Sequence, residues 1–120
     1  MKWKPIYKRE SKMYKLGDVV LVKMHPSSST ELKRYRPCVI VLNQIDSRFY
    51  TIAPLTSNTK ILSPKTEIIV ERSKTNHLEK ISLLMCWYLE TVGISRIQKL
   101  LGKLDKSDLT KLKACLKHLF

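Results

Sequence analysis

The chain has 120 residues, 43% hydrophobic and 28% charged, a balance that argues against disorder and fits one domain burying roughly two-thirds of its unfolded surface. Lysine and arginine number 23 against 10 acids, a formal charge of +13, so the field of the molecule favours polyanions: nucleic acid, an anionic membrane or an acidic partner protein. Cys38, Cys86 and Cys115 form no C-x-x-C pair and leave an odd count, so neither a disulfide framework nor a zinc site is expected.

Residues 1–15 hold six basic side chains against Glu10 alone and mix them with Trp3, Tyr7 and Tyr14 without periodicity. They are predicted to form a basic extension ahead of a domain at 16–120. No apolar run follows these cations, so no signal peptide is expected. The most apolar stretch, around 83–89, is too short to span a bilayer. A cytoplasmic, reducing setting suits the three thiols, which sit among apolar residues as small hydrophobes.

Strand signals follow in close succession. Residues 19–24, 38–42 and 49–53 are apolar and rich in β-branched side chains, and the short polar turn 43–47 makes the last two a predicted antiparallel hairpin. Residues 67–71 set three apolar side chains between two glutamates. Residues 83–92 and 99–104 read as further strands, although their composition also suits helix. Ser107 followed by Asp108 predicts a helix start. Leu109, Leu112, Leu116 and Leu119 then recur at three- and four-residue intervals, with Lys111, Lys113 and Lys117 on other faces. One helix laid on short antiparallel strands is an α+β domain. A second basic block, from Arg96 to Lys117, carries seven cations against Asp105 and Asp108.

Two polar loops, 26–35 and 72–80, are long for so small a domain, and loops of this kind carry binding functions when strands fix their ends. The second is predicted to be mobile. The first bears Glu31 and runs into Arg36-Pro37, where the second strand begins. The third strand ends in Pro54-Leu55-Thr56-Ser57. An acid, an arginine and a hydroxyl pair at strand ends, in a strongly basic protein, suggest a site for a phosphodiester.

With these fixed points, Gly17-Asp18, Pro26, Glu31, Arg36-Pro37 and Pro54-x-Thr56-Ser57, the chain resembles the MazF/PemK toxins of bacterial type II toxin–antitoxin pairs. The pattern from Gly17 to Pro37 fits without insertion, and weaker similarity runs from about Leu16 to Phe120. The resemblance implies a small SH3-like antiparallel β-barrel with a C-terminal helix, a homodimer, metal-independent cleavage of single-stranded RNA, no cofactor, and neutralisation by a small acidic antitoxin. It also implies that Arg36, Thr56 and Glu31 carry activity.

That chemistry suits these residue types. Attack by a 2′-hydroxyl builds negative charge on a phosphorane, which must be neutralised while one proton is removed and another supplied. A guanidinium binds two phosphate oxygens and stays charged. Thr56 can donate to the same phosphate, and Glu31 is either a base or the residue that positions Arg36. Thr56 and Ser57 can equally cap a turn.

Lys33, Arg34 and Ser57 are further RNA-binding candidates. So are His25, for which a structural role is the alternative, and Tyr35, which either stacks on a base or packs on the barrel. His77 and His118 show no evident partner. Trp87-Tyr88 stand where many family members carry Asp-Gln, and Ser29 where many have glycine. Packing in the core or a dimer interface is expected for the two aromatics. Two other readings remain: a gyrase-poisoning toxin of the same fold, resembling CcdB, and a non-catalytic RNA-binding protein held by salt-sensitive lysine contacts.

Overall fold

Alternating Val19, Val20 and Val22, with no proline among them, form the first strand of a computed structural model that describes residues 14–24, 35–44 and 48–120. In chain order the strands are β1 (Asp18–Lys23), β2 (Tyr35–Gln44), β3 (Phe49–Thr56), β4 (Glu67–Val70), β5 (Ser82–Met85), β6 (Glu90–Gly93) and β7 (Ile97–Lys103). A single turn of 3-10 helix at Ile94–Arg96 precedes β7, and helix α1 spans Lys106–Leu119. The strands make one antiparallel sheet in the order β4-β5-β3-β2-β1-β7, with β6 also paired to β3. This is the expected α+β architecture, but among the described residues the hydrogen-bonded path does not close into a barrel: β4 and β7 are its two ends. The gap is bridged by loop 71–81, whose Thr75 carbonyl accepts from the Lys103 amide at 3.0 Å.

Successive side chains of a strand point to opposite faces, and here both faces of the central strands are buried. Val19, Val39, Ala53, Leu55 and Leu84 share one apolar cluster with Leu112 and Cys115 of α1. Val20, Val22, Cys38, Ile40, Tyr50 and Ile52 share the other. Tyr14 packs edge-on against Tyr50, ring centroids 5.4 Å apart, and the Lys15 amide donates to Asp18 Oδ2 at 2.8 Å. The fold therefore includes the last two residues of the predicted extension; the rest of it, 1–13, lies outside the described residues. Gly17, at φ 93°, faces Leu109 of α1, whose Cδ1 would lie 3.0 Å from an added Cβ. Gly17-Asp18 is thus a turn and helix-seating device, with no part in the cleft described below.

Three expectations need correction. Residues 83–92 are two strands separated by a turn at 86–89, where the Tyr88 amide donates to Met85. The break matches their common partner: β5 pairs with Leu55 and Thr56, β6 with Phe49 to Ile52. Between them lies Pro54, which has no N–H to offer a ladder. The helix starts at Lys106 with an extended Asp105 as its cap, ahead of Ser107: the Asp105 carbonyl already accepts from the Leu109 amide at 2.9 Å, while the Leu104 amide before it is held by the Gly17 carbonyl at 2.9 Å. Its apolar stripe is as expected: Leu112 is fully buried, and Leu109, Leu116 and Leu119 pack half-buried on the same cluster.

Loop 71–81 is the third correction. Asn76, with no exposed surface, accepts from the Ser73 and Leu78 amides at 3.1 and 2.9 Å and donates to the Glu71 carbonyl at 2.9 Å. A polar loop looked mobile in sequence because its interior anchor is itself polar.

Glu67 anchors the neighbouring segment. Its buried carboxylate accepts from the Leu62 and Ser63 amides at 2.7 and 2.8 Å and from the Trp87 indole at 2.7 Å. Burial pushes the Glu67 carboxyl up, but the Ser63 amide, the Trp87 indole and the Leu62 amide outweigh it and hold the group below its ordinary value. A lowered folded value means the stabilisation is complete above the unfolded pKa, about 4.3, and is lost as pH falls from there through the folded value. Glu67→Gln is expected to cost about 2 kcal/mol at pH 7 by urea unfolding, since an amide N–H would oppose the indole donor. The deficit relative to wild type should shrink on acidification; a deficit that grows would contradict this role.

Candidate functional site

The site begins with the β2–β3 register. Cys38 pairs with Pro54, Val39 with Ala53 and Ile40 with Ile52. Continued two residues further, the same register sets Arg36 across from Thr56. Both side chains line one cleft of about 600 Å³, with Tyr35 and Ser57 from the same strand ends. Leu55, almost fully buried, and the half-buried Leu21, Pro37 and Leu101 give this cleft apolar walls. Its volume lies within the range of small-ligand sites.

The cleft also receives residues that local sequence patterns left aside. Lys99 reaches it from β7 because β1 pairs Leu21 with both Pro37 and Lys99. His77, Glu79 and Lys80 reach it from loop 71–81. The loop can lie so close to β7 because of Gly102: a Cβ there would fall 2.5 Å from the Thr75 carbonyl oxygen and 2.8 Å from both the Asn76 carbonyl oxygen and His77 Nδ1. A glycine inside a strand marks close approach of another backbone, and this was the one sequence signal for the missing wall.

Three cations, Arg36, Lys80 and Lys99, therefore share the cleft with one acid, Glu79, and the hydroxyls of Thr56 and Ser57. The Thr56 oxygen accepts from the Asn58 amide at 3.2 Å, the turn-capping role open to it in sequence. Its O–H remains a donor, since a hydroxyl carries one proton and two lone pairs. The combination can hold an anion with several oxygens: guanidinium and ammonium groups supply charge, and the hydroxyls supply directional donors.

Of the predicted site residues, Arg36, Thr56, Tyr35 and Ser57 come together. Glu31, His25, Lys33 and Arg34 lie outside the described residues. Trp87 and Tyr88 do not pack in the core: both are exposed on the turn between β5 and β6, with Trp87 tied to Glu67. The three cysteines are buried free thiols. Burial pushes the Cys38 thiol up to about 12, against the lowering influence of Arg36, and raises that of Cys86 with Cys115 as the second cause. Neither supplies a thiolate nucleophile at neutral pH. Among the described residues no three His, Cys, Asp or Glu side chains are grouped to hold a metal ion, and no helix is long and apolar enough to cross a membrane.

Comparison with known proteins gives the frame for this cleft. The family model described as PemK-like, MazF-like toxin of type II toxin–antitoxin systems matches residues 15–120. The chain belongs to this family. Among solved structures it is similar to the Mycobacterium tuberculosis toxin MazF-mt6, at 19% identity and a TM-score of 0.66, covering 84% of this chain and 93% of that one. It is also similar to an endoribonuclease bound to its cognate antitoxin from a mycobacterial species, at 17% identity and a TM-score of 0.64, covering 86% of this chain and 90% of the other. An M. tuberculosis toxin at 20% identity, with a TM-score of 0.64, covers 85% of this chain and 99% of its own. No match was found among curated protein sequences. At such identities the likeness is one of fold, and in the PemK-like, MazF-like frame the cleft joins the start of the second strand to the end of the third.

Proposed function

We propose that this PemK/MazF-family toxin is a metal-independent endoribonuclease for single-stranded RNA, acting at the cleft between the start of β2 and the end of β3. The observation that carries the reading is the meeting of Arg36 and Thr56 in one basic cleft, since phosphoryl chemistry through a 2′-hydroxyl needs a charge-neutralising fork and a directed donor on one phosphate. Arg36 neutralises the phosphorane, Thr56 donates to a non-bridging oxygen, and Lys80 and Lys99 attract the flanking phosphates. Tyr35, exposed at the start of β2, offers a face on which an unpaired base can stack. Glu31 serves as base or as the partner that orients Arg36, with Lys33 and Arg34 as further RNA contacts from the same loop and His25 from the strand end that precedes it.

The functional assembly is proposed to be a homodimer at the start of whose domain lies the basic 1–15 segment, held in check in the cytoplasm by an acidic antitoxin that covers the basic cleft. Trp87 and Tyr88, exposed neighbours whose tilted rings lie 5.5 Å apart, supply apolar surface for a second copy. Sedimentation at micromolar concentration showing only a 14.0 kDa species would exclude the dimer.

Incubation of purified protein with a long single-stranded RNA in EDTA tests the activity. Discrete cuts ending in a 2′,3′-cyclic phosphate and a 5′-hydroxyl are expected. Binding without cutting would assign a non-catalytic RNA-binding protein instead, and arrested DNA supercoiling with intact RNA would assign a gyrase poison.

A further inference from the structure

RNA cleavage by this route leaves one proton without a carrier. The departing 5′-oxygen must be protonated, and Arg36, charged at any working pH, is poorly suited to give up a proton. We propose that His77 is the general acid that protonates this oxygen; the proposal rests on the ribonuclease reading of the same cleft.

Three observations converge on His77. It lines the cleft with Arg36 and Thr56. It has φ 56°, the one positive value at a non-glycine among the described residues, a left-handed conformation that histidine enters more readily than most side chains and that sets the direction in which the ring leaves the loop. Its surroundings are tied by hydrogen bonds: the His77 amide donates to the Ser73 carbonyl at 3.1 Å, buried Asn76 accepts from the Leu78 amide beside it, and the Lys103 amide of β7 donates to the Thr75 carbonyl at 3.0 Å. The ring itself lies against Gly102, with Nδ1 2.8 Å from where a Cβ would be. A buried amide, a left-handed residue and a strand glycine together place one imidazole in a cationic cleft. Imidazole is also the side chain that ordinarily holds and releases a proton near neutral pH.

In the step proposed, the 2′-oxygen bonds to phosphorus and its proton passes to the base, Glu31 in the sequence reading. The phosphorus–O5′ bond breaks and its electron pair goes to O5′. The His77 imidazolium transfers its proton there, leaving neutral imidazole, a 2′,3′-cyclic phosphate and a free 5′-hydroxyl. Arg36, Lys80, Lys99 and Glu79 are the charged groups that share the cleft with the ring.

The test compares two oligonucleotides that differ at the mapped cleavage site, one with the ordinary 5′-oxygen and one with a bridging 5′-sulfur. A thiolate leaves without being protonated, so only the oxygen substrate needs the acid. His77→Asn suits the experiment because asparagine tolerates left-handed backbone; His77→Gly, which relieves the backbone altogether, provides the second variant. Both should cleave the oxygen substrate about 10²- to 10⁴-fold more slowly than wild type and the sulfur substrate within a few-fold of it, while Arg36→Ala slows both. Equal slowing on both linkages, or none on either, overturns the role of His77. Wild type inert on both overturns the ribonuclease reading and the role with it.

Discussion

Replacing Arg36 with alanine is expected to slow RNA cleavage by about 10²- to 10³-fold, the usual loss when one preorganised charge-stabilising donor is removed from a phosphoryl or acyl transition state. The change should fall on kcat, because the phosphorane carries more negative charge than the ground-state diester and the guanidinium serves that difference. Arg36→Lys should restore only part of the rate, since an ammonium offers a point charge where a planar fork spans two oxygens. Stability should change by less than about 0.5 kcal/mol: the side chain is half-buried at a strand end, and the ladder pairing of Arg36 with Val22 is made by backbone. Kinetics are read on discrete cleavage of a defined transcript, and unfolding in urea. An unchanged kcat would remove Arg36 from the chemistry.

Asn76→Ala is expected to have the largest effect on the fold of the cleft. It removes both acceptor bonds to the Ser73 and Leu78 amides and the donor bond to the Glu71 carbonyl, in a residue with no exposed surface. A buried polar group left without a partner costs about 1–3 kcal/mol; with partial relaxation of the loop, a total near 3 kcal/mol and a fall in Tm of roughly 10 °C follow. Asn76→Asp keeps the two acceptor bonds but opposes the Glu71 carbonyl with a carboxylate, so it should fall between alanine and wild type. Because the same turn carries His77, Glu79 and Lys80 into the cleft, activity should drop at temperatures where the variant is still folded. Full activity in a destabilised Asn76→Ala protein would show that the loop is no wall of the site.

How far the sequence disclosed this arrangement differs from element to element. The valines of β1, the hairpin of β2 and β3, and the leucine stripe of α1 were readable because each signal is local: β-branched runs, a short polar turn, a 3.6-residue period. Arg36 and Thr56 were readable because they sit at the ends of those same strands. The split of residues 83–92 was not, because it answers to Pro54 on another strand. Glu67 read only as one of two acids bracketing three apolar residues, and its partners Leu62, Ser63 and Trp87 had to be brought to it by folding. His77, Lys80 and Lys99 joined the site through contacts between residues far apart in the chain. Gly102 hinted at the contact with loop 71–81, yet a strand glycine alone names no partner.

The central claim is that one phosphate of the RNA chain sits between Arg36 and Thr56. A crystal structure with a short oligonucleotide made uncleavable by a 2′-deoxy substitution at the scissile position tests it most directly. The account predicts a phosphate with two oxygens within hydrogen-bond distance of the Arg36 guanidinium, a third contact from the Thr56 hydroxyl, and the 5′-oxygen turned toward His77. An oligonucleotide bound along another face, with this cleft holding no phosphate, would contradict it.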